Sequence, residues 1–221
     1  TVKATVEYAR SIEKEHGKNF RFTITTNGVL LSDENIEYIN REMSNAVLSL
    51  DGRSEVNDRM RKTVSGSGSY DVILPRFQKL VQGRGEKDYY LRGTFTRHNL
   101  DFAADVLHIA NQGFRHVSVE PVVGSPDCDY VFREEDLPGI LAEYERLAAE
   151  LLSREDVNFF HFNVDLSQGP CVIKRMRGCG AGCEYVAITP EGDIYPCHQF
   201  VGNEAYKLGS LSDGTFDMAL S

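Results

Sequence analysis

The feature that most constrains this chain is the regular exchange of short strand-like runs for amphipathic helical ones over its first 165 or so residues. Turn and cap signals mark each change. An opening helix from Val2 to about His16 ends at Gly17, and residues 19–26 read as a strand that closes on Asn27-Gly28. Ser32, followed by Asp33 and Glu34, places an N-cap with acids at the positive end of the helix dipole. Residues 46–50 form a second strand, and Asp51-Gly52 opens a charged, glycine-bearing loop to about Ser69. A helix near Tyr70 to Gln82 leads to a strand at 89–96, and Asn99 caps a helix that stops at Gly113. A fourth strand at 115–120, a long helix at about 134–153 and a last strand at 157–162 follow. Strands separated by helices pair in parallel with right-handed crossovers, so the fold class is α/β, either a barrel or a doubly wound sheet.

Period two within the strands separates these alternatives. One face carries Thr23 and Thr25, Ser49 and Asp51, Arg92, Thr94 and Thr96, then His116, Ser118 and Glu120. The other carries Phe22, Ile24, Leu48, Leu50, Leu91, Phe95, Val117 and Val119. A parallel sheet covered by helices on both sides is apolar on both, so a polar side repeated in every strand predicts a partial barrel with a wet or ligand-filled lumen. Threonines and serines that satisfy one another within a core are the alternative. That alternative suits Arg92 and Glu120 less, because charges are seldom buried without a partner.

Charge narrows the partners. With 33 acidic and 24 basic side chains the net charge is −9, which argues against a surface built to hold nucleic-acid phosphates and favours small molecules or peptides. No apolar run approaches the ~18 residues of a membrane span. The chain starts at Thr1 without a signal-peptide pattern, so it is expected to begin inside a larger cytoplasmic protein.

From residue 166 the composition changes, which predicts a small appended domain at 166–221 after the α/β part at 1–165. Of five cysteines, Cys171, Cys179, Cys183 and Cys197 cluster here, while Cys128 stands apart as an ordinary free thiol. Clustered thiols without a secretion signal are more often metal ligands than disulfides. The stretch 184–196 reads as a hairpin turning at Pro190-Glu191-Gly192, which brings Cys179 and Cys197 toward each other. Glycines 178, 180 and 182 leave room for a bulky group and free amides for hydrogen bonds to sulfur. Zinc and iron–sulfur clusters both accept such donors; the single close pair, Cys179 and Cys183, falls short of the two tight knuckles usual for zinc.

Three stretches resemble the radical S-adenosylmethionine enzymes with a SPASM extension, and among them the maturases that form thioether cross-links in six-cysteine (SCIFF) peptides. They are Phe22-Thr-Ile-Thr-Thr-Asn-Gly28, Leu48-Ser-Leu-Asp-Gly-Arg-Ser-Glu-Val-Asn-Asp-Arg-Met-Arg61, and Cys179-x12-Gly192-x4-Cys197 continuing as Tyr195-Pro-Cys-His-Gln-Phe-Val-Gly202. The resemblance implies a partial (β/α)6 barrel followed by the start of a SPASM domain. It implies that Ser49 contacts S-adenosylmethionine and that Arg92 pairs with its carboxylate, with Asn27 and Glu120 as weaker candidates on the same rim. The alternatives are a strand-end hydroxyl cap for Ser49 and an internal Arg92–Glu120 bridge. For an auxiliary 4Fe-4S cluster the resemblance implies Cys179 and Cys197 as ligands, Cys171 as the third, and Cys183, which sits too close to Gly192 for the family spacing, as a neighbour or substitute.

The family's Cys-x3-Cys-x2-Cys loop, its Gly-Gly-Glu-Pro strand and the later SPASM cysteines are expected outside residues 1–221, so this stretch alone is expected to lack radical chemistry. In the intact enzyme, the resemblance implies, an upstream cluster reduces S-adenosylmethionine and the resulting radical takes a hydrogen from a substrate residue. An open iron of the auxiliary cluster then presents a substrate cysteine for thioether closure. The implied partners are a cysteine-rich precursor peptide and an electron donor such as ferredoxin or flavodoxin. The competing class is a non-catalytic β/α module, stapled by zinc, that binds a peptide.

Overall fold

In the computed structural model, which describes residues 1–163 and 178–216, the alternation resolves into two units, Thr1–Val164 and Asp165–Ser221. In the first, α1 (Val2–His16) ends on Gly17, whose φ of 58° is the left-handed cap conformation. Strand β1 (Thr23–Thr26) precedes α2 (Asp33–Glu42), where the Ser32 hydroxyl accepts the Asn35 N–H at 3.3 Å. Then come β2 (Asn45–Ser49), a short α3 (Ser54–Met60), α4 (Tyr70–Gln82) and β3 (Asp88–Phe95). Helix α5 (Phe102–Asn111), β4 (His116–Pro121), α6 (Leu137–Leu151) and β5 (Asn158–Phe159) complete it.

The five strands pair in parallel and in chain order, β1-β2-β3-β4-β5, as sequential crossovers require. Ala46, Leu48, Leu91, Phe95, Val117 and Val119 lie on one face, fully buried among Ile39, Ile73, Phe77, Val106, Ile109 and Leu147 of the helices. The opposite face carries Thr23, Thr25, Ser49, Arg92 and Thr94, from exposed to half-buried, beside Ser118 and Glu120. Residues 158–159 alone extend the last strand; 160–162 turn into a 3-10 helix.

Two residues assigned to the polar face lie beyond the strand ends and do other work. Asp51 is buried, pairs with Arg61 through two hydrogen bonds (2.7 and 2.8 Å), and accepts the Thr94 N–H at 3.0 Å. Thr96 is buried as the cap of the 3-10 turn at Arg97–Asn99, its hydroxyl accepting the His98 N–H. The loop expected from 52 to 69 contains α3, too short for a 3.6-residue period to show. It is held by Asp105, which has no exposed surface and accepts from the Arg53 backbone and guanidinium (3.0 and 2.9 Å) and from Asn99 Nδ2 (3.0 Å). At Gly52, with φ of 141°, an added Cβ would sit 2.3 Å from the Asp105 side chain, so only glycine lets the loop close over this carboxylate.

In the second unit β6 (Ala187–Ile188) and β7 (Asp193–Tyr195) form the expected hairpin, with Ala187 opposite Tyr195 and Ile188 opposite Ile194. Strands β8 (Gly209–Ser210) and β9 (Thr215–Phe216) extend it to a four-stranded antiparallel sheet.

Asp105→Ala removes a buried anion that four donor contacts surround, three from Arg53 and one from Asn99, and is expected to cost about 3 kcal/mol. Thermal unfolding measures it; a midpoint unchanged from the parent would contradict the role given to Asp105.

Candidate functional site

Parallel register sets the polar face. Ser49 lies beside Arg92, Arg92 beside Ser118 and Thr94 beside Glu120. The Arg92 guanidinium donates through Nε to Glu120 Oε1 at 3.0 Å and through Nη2 to Oε2 at 2.5 Å. The bridge weighed from sequence is therefore present, yet Arg92 remains 51% exposed, and its Nη1 is not used in this pair. Ser118 donates to Glu120 at 3.4 Å, and with that hydrogen committed it accepts from His161 Nε2–H at 3.3 Å. The Arg92 hydrogen bonds hold the Glu120 carboxyl below the usual carboxylate range, and burial pushes the His161 imidazole down. His161 was not singled out from sequence, because its position follows from the 3-10 turn that ends β5.

The other two candidates differ. Ser49 is half-buried and its hydroxyl makes no hydrogen bond among the described residues. Asn27 is exposed and spends its carboxamide oxygen on the Val29 N–H at 3.2 Å, forming the turn after β1.

The cysteine loop is organised by its backbone. Gly182, with φ of 84°, donates its N–H to Tyr185 O (2.9 Å) and to Pro196 O (3.1 Å), which ties the Cys179–Cys183 loop to the residue before Cys197. Cys179 and Cys183 are exposed and Cys197 is buried. The Ala181 N–H and the Tyr185 hydroxyl, 3.6 Å away, hold the Cys179 thiol below its ordinary range, while Cys197 Sγ accepts the Gln199 N–H at 3.4 Å. Amide and hydroxyl donors on sulfur stabilise thiolate, the form that binds iron. The donor chemistry fits a cluster at these two sulfurs. Among the described residues no three His, Cys, Asp or Glu side chains gather around one point; Cys171 lies outside the described residues. Cys128 is a free thiol in the loop after β4.

Two measurements test this electrostatics. Replacing Arg92 by Met is expected to raise the Glu120 pKa, read by carboxyl carbon NMR. The native pair stabilises the fold above the ordinary carboxylate pKa of about 4.3 and loses that contribution as pH falls through the lowered folded value. No change in Glu120 titration would mean the pair is not formed in solution. Alkylation of Cys179, followed by mass spectrometry, is expected to begin at lower pH than for an unstructured cysteine, and Tyr185→Phe is expected to shift it upward.

Residues 179–221 match the SPASM family, described as an iron–sulfur cluster-binding domain. The chain is 24% identical to a cysteine-type anaerobic sulfatase-maturating enzyme of Clostridium novyi (strain NT), covering 95% of this chain and 58% of the relative. It is 27% identical to the mycofactocin maturase MftC of Mycobacterium ulcerans (strain Agy99), covering 96% and 55%. The chain thus spans a little over half the length of these relatives. Among solved structures, anSMEcpe with bound AdoMet superposes with a TM-score of 0.73 at 14% identity, covering 96% of this chain and 58% of that one. Streptococcus suis SuiB bound to S-adenosylmethionine does so with 0.61 at 17%, covering 92% and 48%. A SPASM match at residues 179–221 thus follows, in sequence, an α/β unit that shares the fold of anSMEcpe.

Proposed function

We propose that this chain is part of a peptide maturase that uses S-adenosylmethionine and an auxiliary 4Fe-4S cluster to form cysteine-derived thioether cross-links in a ribosomally made precursor. The observation that carries the reading is the coexistence, in one chain, of an open polar sheet face and a SPASM loop whose thiol is already biased to thiolate. S-adenosylmethionine, when bound and reduced through an iron–sulfur cluster, supplies the group that abstracts hydrogen from the substrate.

The chain's own residues then have defined tasks. Ser49 offers an uncommitted hydroxyl at the end of β2. Arg92 keeps Nη1 for a ligand carboxylate, while Glu120 fixes the plane of the guanidinium and presents a carboxylate suited to an ammonium group. Together they complement a zwitterionic amino acid such as the methionyl end of the cofactor. Asn27 shapes the β1 turn at the same rim. Cys179 and Cys197 hold the auxiliary cluster with Cys171 as third ligand, and Cys183 is the neighbour able to replace it. A cluster held by only three protein thiolates leaves a position for a substrate sulfur. The maturase relatives, one named for a sulfatase and one for mycofactocin, support a peptide or protein substrate. The cysteine-rich precursor and a ferredoxin- or flavodoxin-type donor remain part of the proposal.

Anaerobic reconstitution with iron and sulfide is expected to give a brown protein, and Cys197→Ala to lose that iron while the circular dichroism of the α/β unit is kept. A colourless protein holding stoichiometric zinc, or unchanged iron in the variant, would overturn the ligand assignment.

A further inference from the structure

Beside the C-terminal end of β3 a cavity of about 210 Å³ lies against α3. Small-molecule and cofactor sites generally run from roughly 300 to 1,000 Å³, so this one is sized for a single side chain. Its walls divide by chemistry. Val56 and Met60 of α3 supply apolar surface, and Thr94 supplies a hydroxyl without a partner among the described residues. The polar wall at Asn99 is fixed in advance: its Oδ1 accepts from Thr96 and its Nδ2 donates to the buried Asp105.

The charges around the cavity are unequal in their commitments. Glu55 has its Oε1 3.8 Å from Arg53 and its Oε2 accepting from Ser54 at 3.3 Å. His98 faces Asp129 at 3.5 Å. Arg59 is exposed and makes neither an ion pair nor a side-chain hydrogen bond among the described residues. Arg59 thus sets a guanidinium with no partner among the described residues at the mouth, next to an apolar slot that suits a methylene stem.

We propose that this cavity receives an acidic side chain of the substrate peptide, its carboxylate on Arg59 with the Thr94 hydroxyl as second donor and its methylenes between Val56 and Met60. The proposal rests on the peptide-maturase reading. Thr94 lies two residues from Arg92 on the same face of β3, about 6.6 Å along the strand, so an acid anchored here holds the adjoining peptide beside the polar face. The cavity thus acts as a specificity pocket that selects substrates with a glutamate or aspartate near the modified residue.

The test uses the 221-residue chain without iron and three probes: N-acetylglutamate methylamide, its glutamine counterpart, and N-acetylalanine, which carries a terminal carboxylate. Titration followed by NMR is expected to move the Thr94, Thr96 and His98 signals with the glutamate probe, with affinity at least about tenfold above that for glutamine or the terminal acid. Arg59→Gln is expected to weaken glutamate binding by a similar factor while Arg59→Lys keeps part of it; because Arg59 is exposed, unchanged thermal unfolding verifies that the variants fold. Equal binding of glutamate and glutamine, preference for the terminal acid, or indifference to Arg59→Gln would overturn the pocket. Since iron plays no part here, failure of the cluster assignment and failure of this pocket are read separately.

Discussion

Burial of one face, and only one, is the constraint from which the first unit follows. A parallel sheet whose crossovers are helical must hide apolar side chains under those helices, and Leu48, Leu91, Val117 and Val119 do so with no exposed surface. Because side chains alternate along a strand, this burial leaves Ser49, Arg92, Ser118 and Glu120 together on the other side. A slip of one residue in β3 would place Arg92 in the core and Leu91 on the polar face. The hydrophobic core therefore fixes the order in which the polar groups meet, and the Arg92–Glu120 bridge is a by-product of register before it is anything chemical.

The loops at the strand ends solve a different problem. Asp51 and Asp105 are buried anions, and each is matched by an arginine and by backbone or amide donors. Buried carboxylates of this kind add little net stability compared with apolar packing, but leaving one unpaired is expensive, so they define the loop path sharply. That rigidity carries α3 to the end of β3 and shapes the cavity between them. Precision in the loops and alternation in the strands together turn a common α/β scaffold into a surface with specific donors and acceptors.

Much of this was legible in the sequence, and what was not has physical causes. Helix α1 and its glycine cap, α4 in full, the Ser32 cap and all five parallel strands follow from periodicity and turn residues. Thr96 and Asp51 were misplaced because alternation was extended past the last strand hydrogen bonds, where a capping hydroxyl and a carboxylate bonded to the Thr94 N–H take over. Asp105 escaped notice because its partners, Arg53 and Asn99, are distant or aperiodic in sequence; one acid in an amphipathic helix carries no local mark of burial. His161 was hidden by the turn from strand to 3-10 helix after Phe159. In the second unit the hairpin was visible through Gly192, whereas β8 and β9, two residues each, are below the length at which alternation can be seen.

The hydrogen bonds at Cys179 have a cost as well as a use. An exposed sulfur stabilised as thiolate by the Ala181 amide and the Tyr185 phenol is as ready for peroxide as for iron. Left without metal in air, such a sulfur advances to sulfenic acid and beyond, whereas Cys197 is screened by its burial. Of the cysteines in this unit that the structure describes, the exposed Cys179 and Cys183 therefore meet oxidant before Cys197, and metallation doubles as chemical protection for the sulfur it binds.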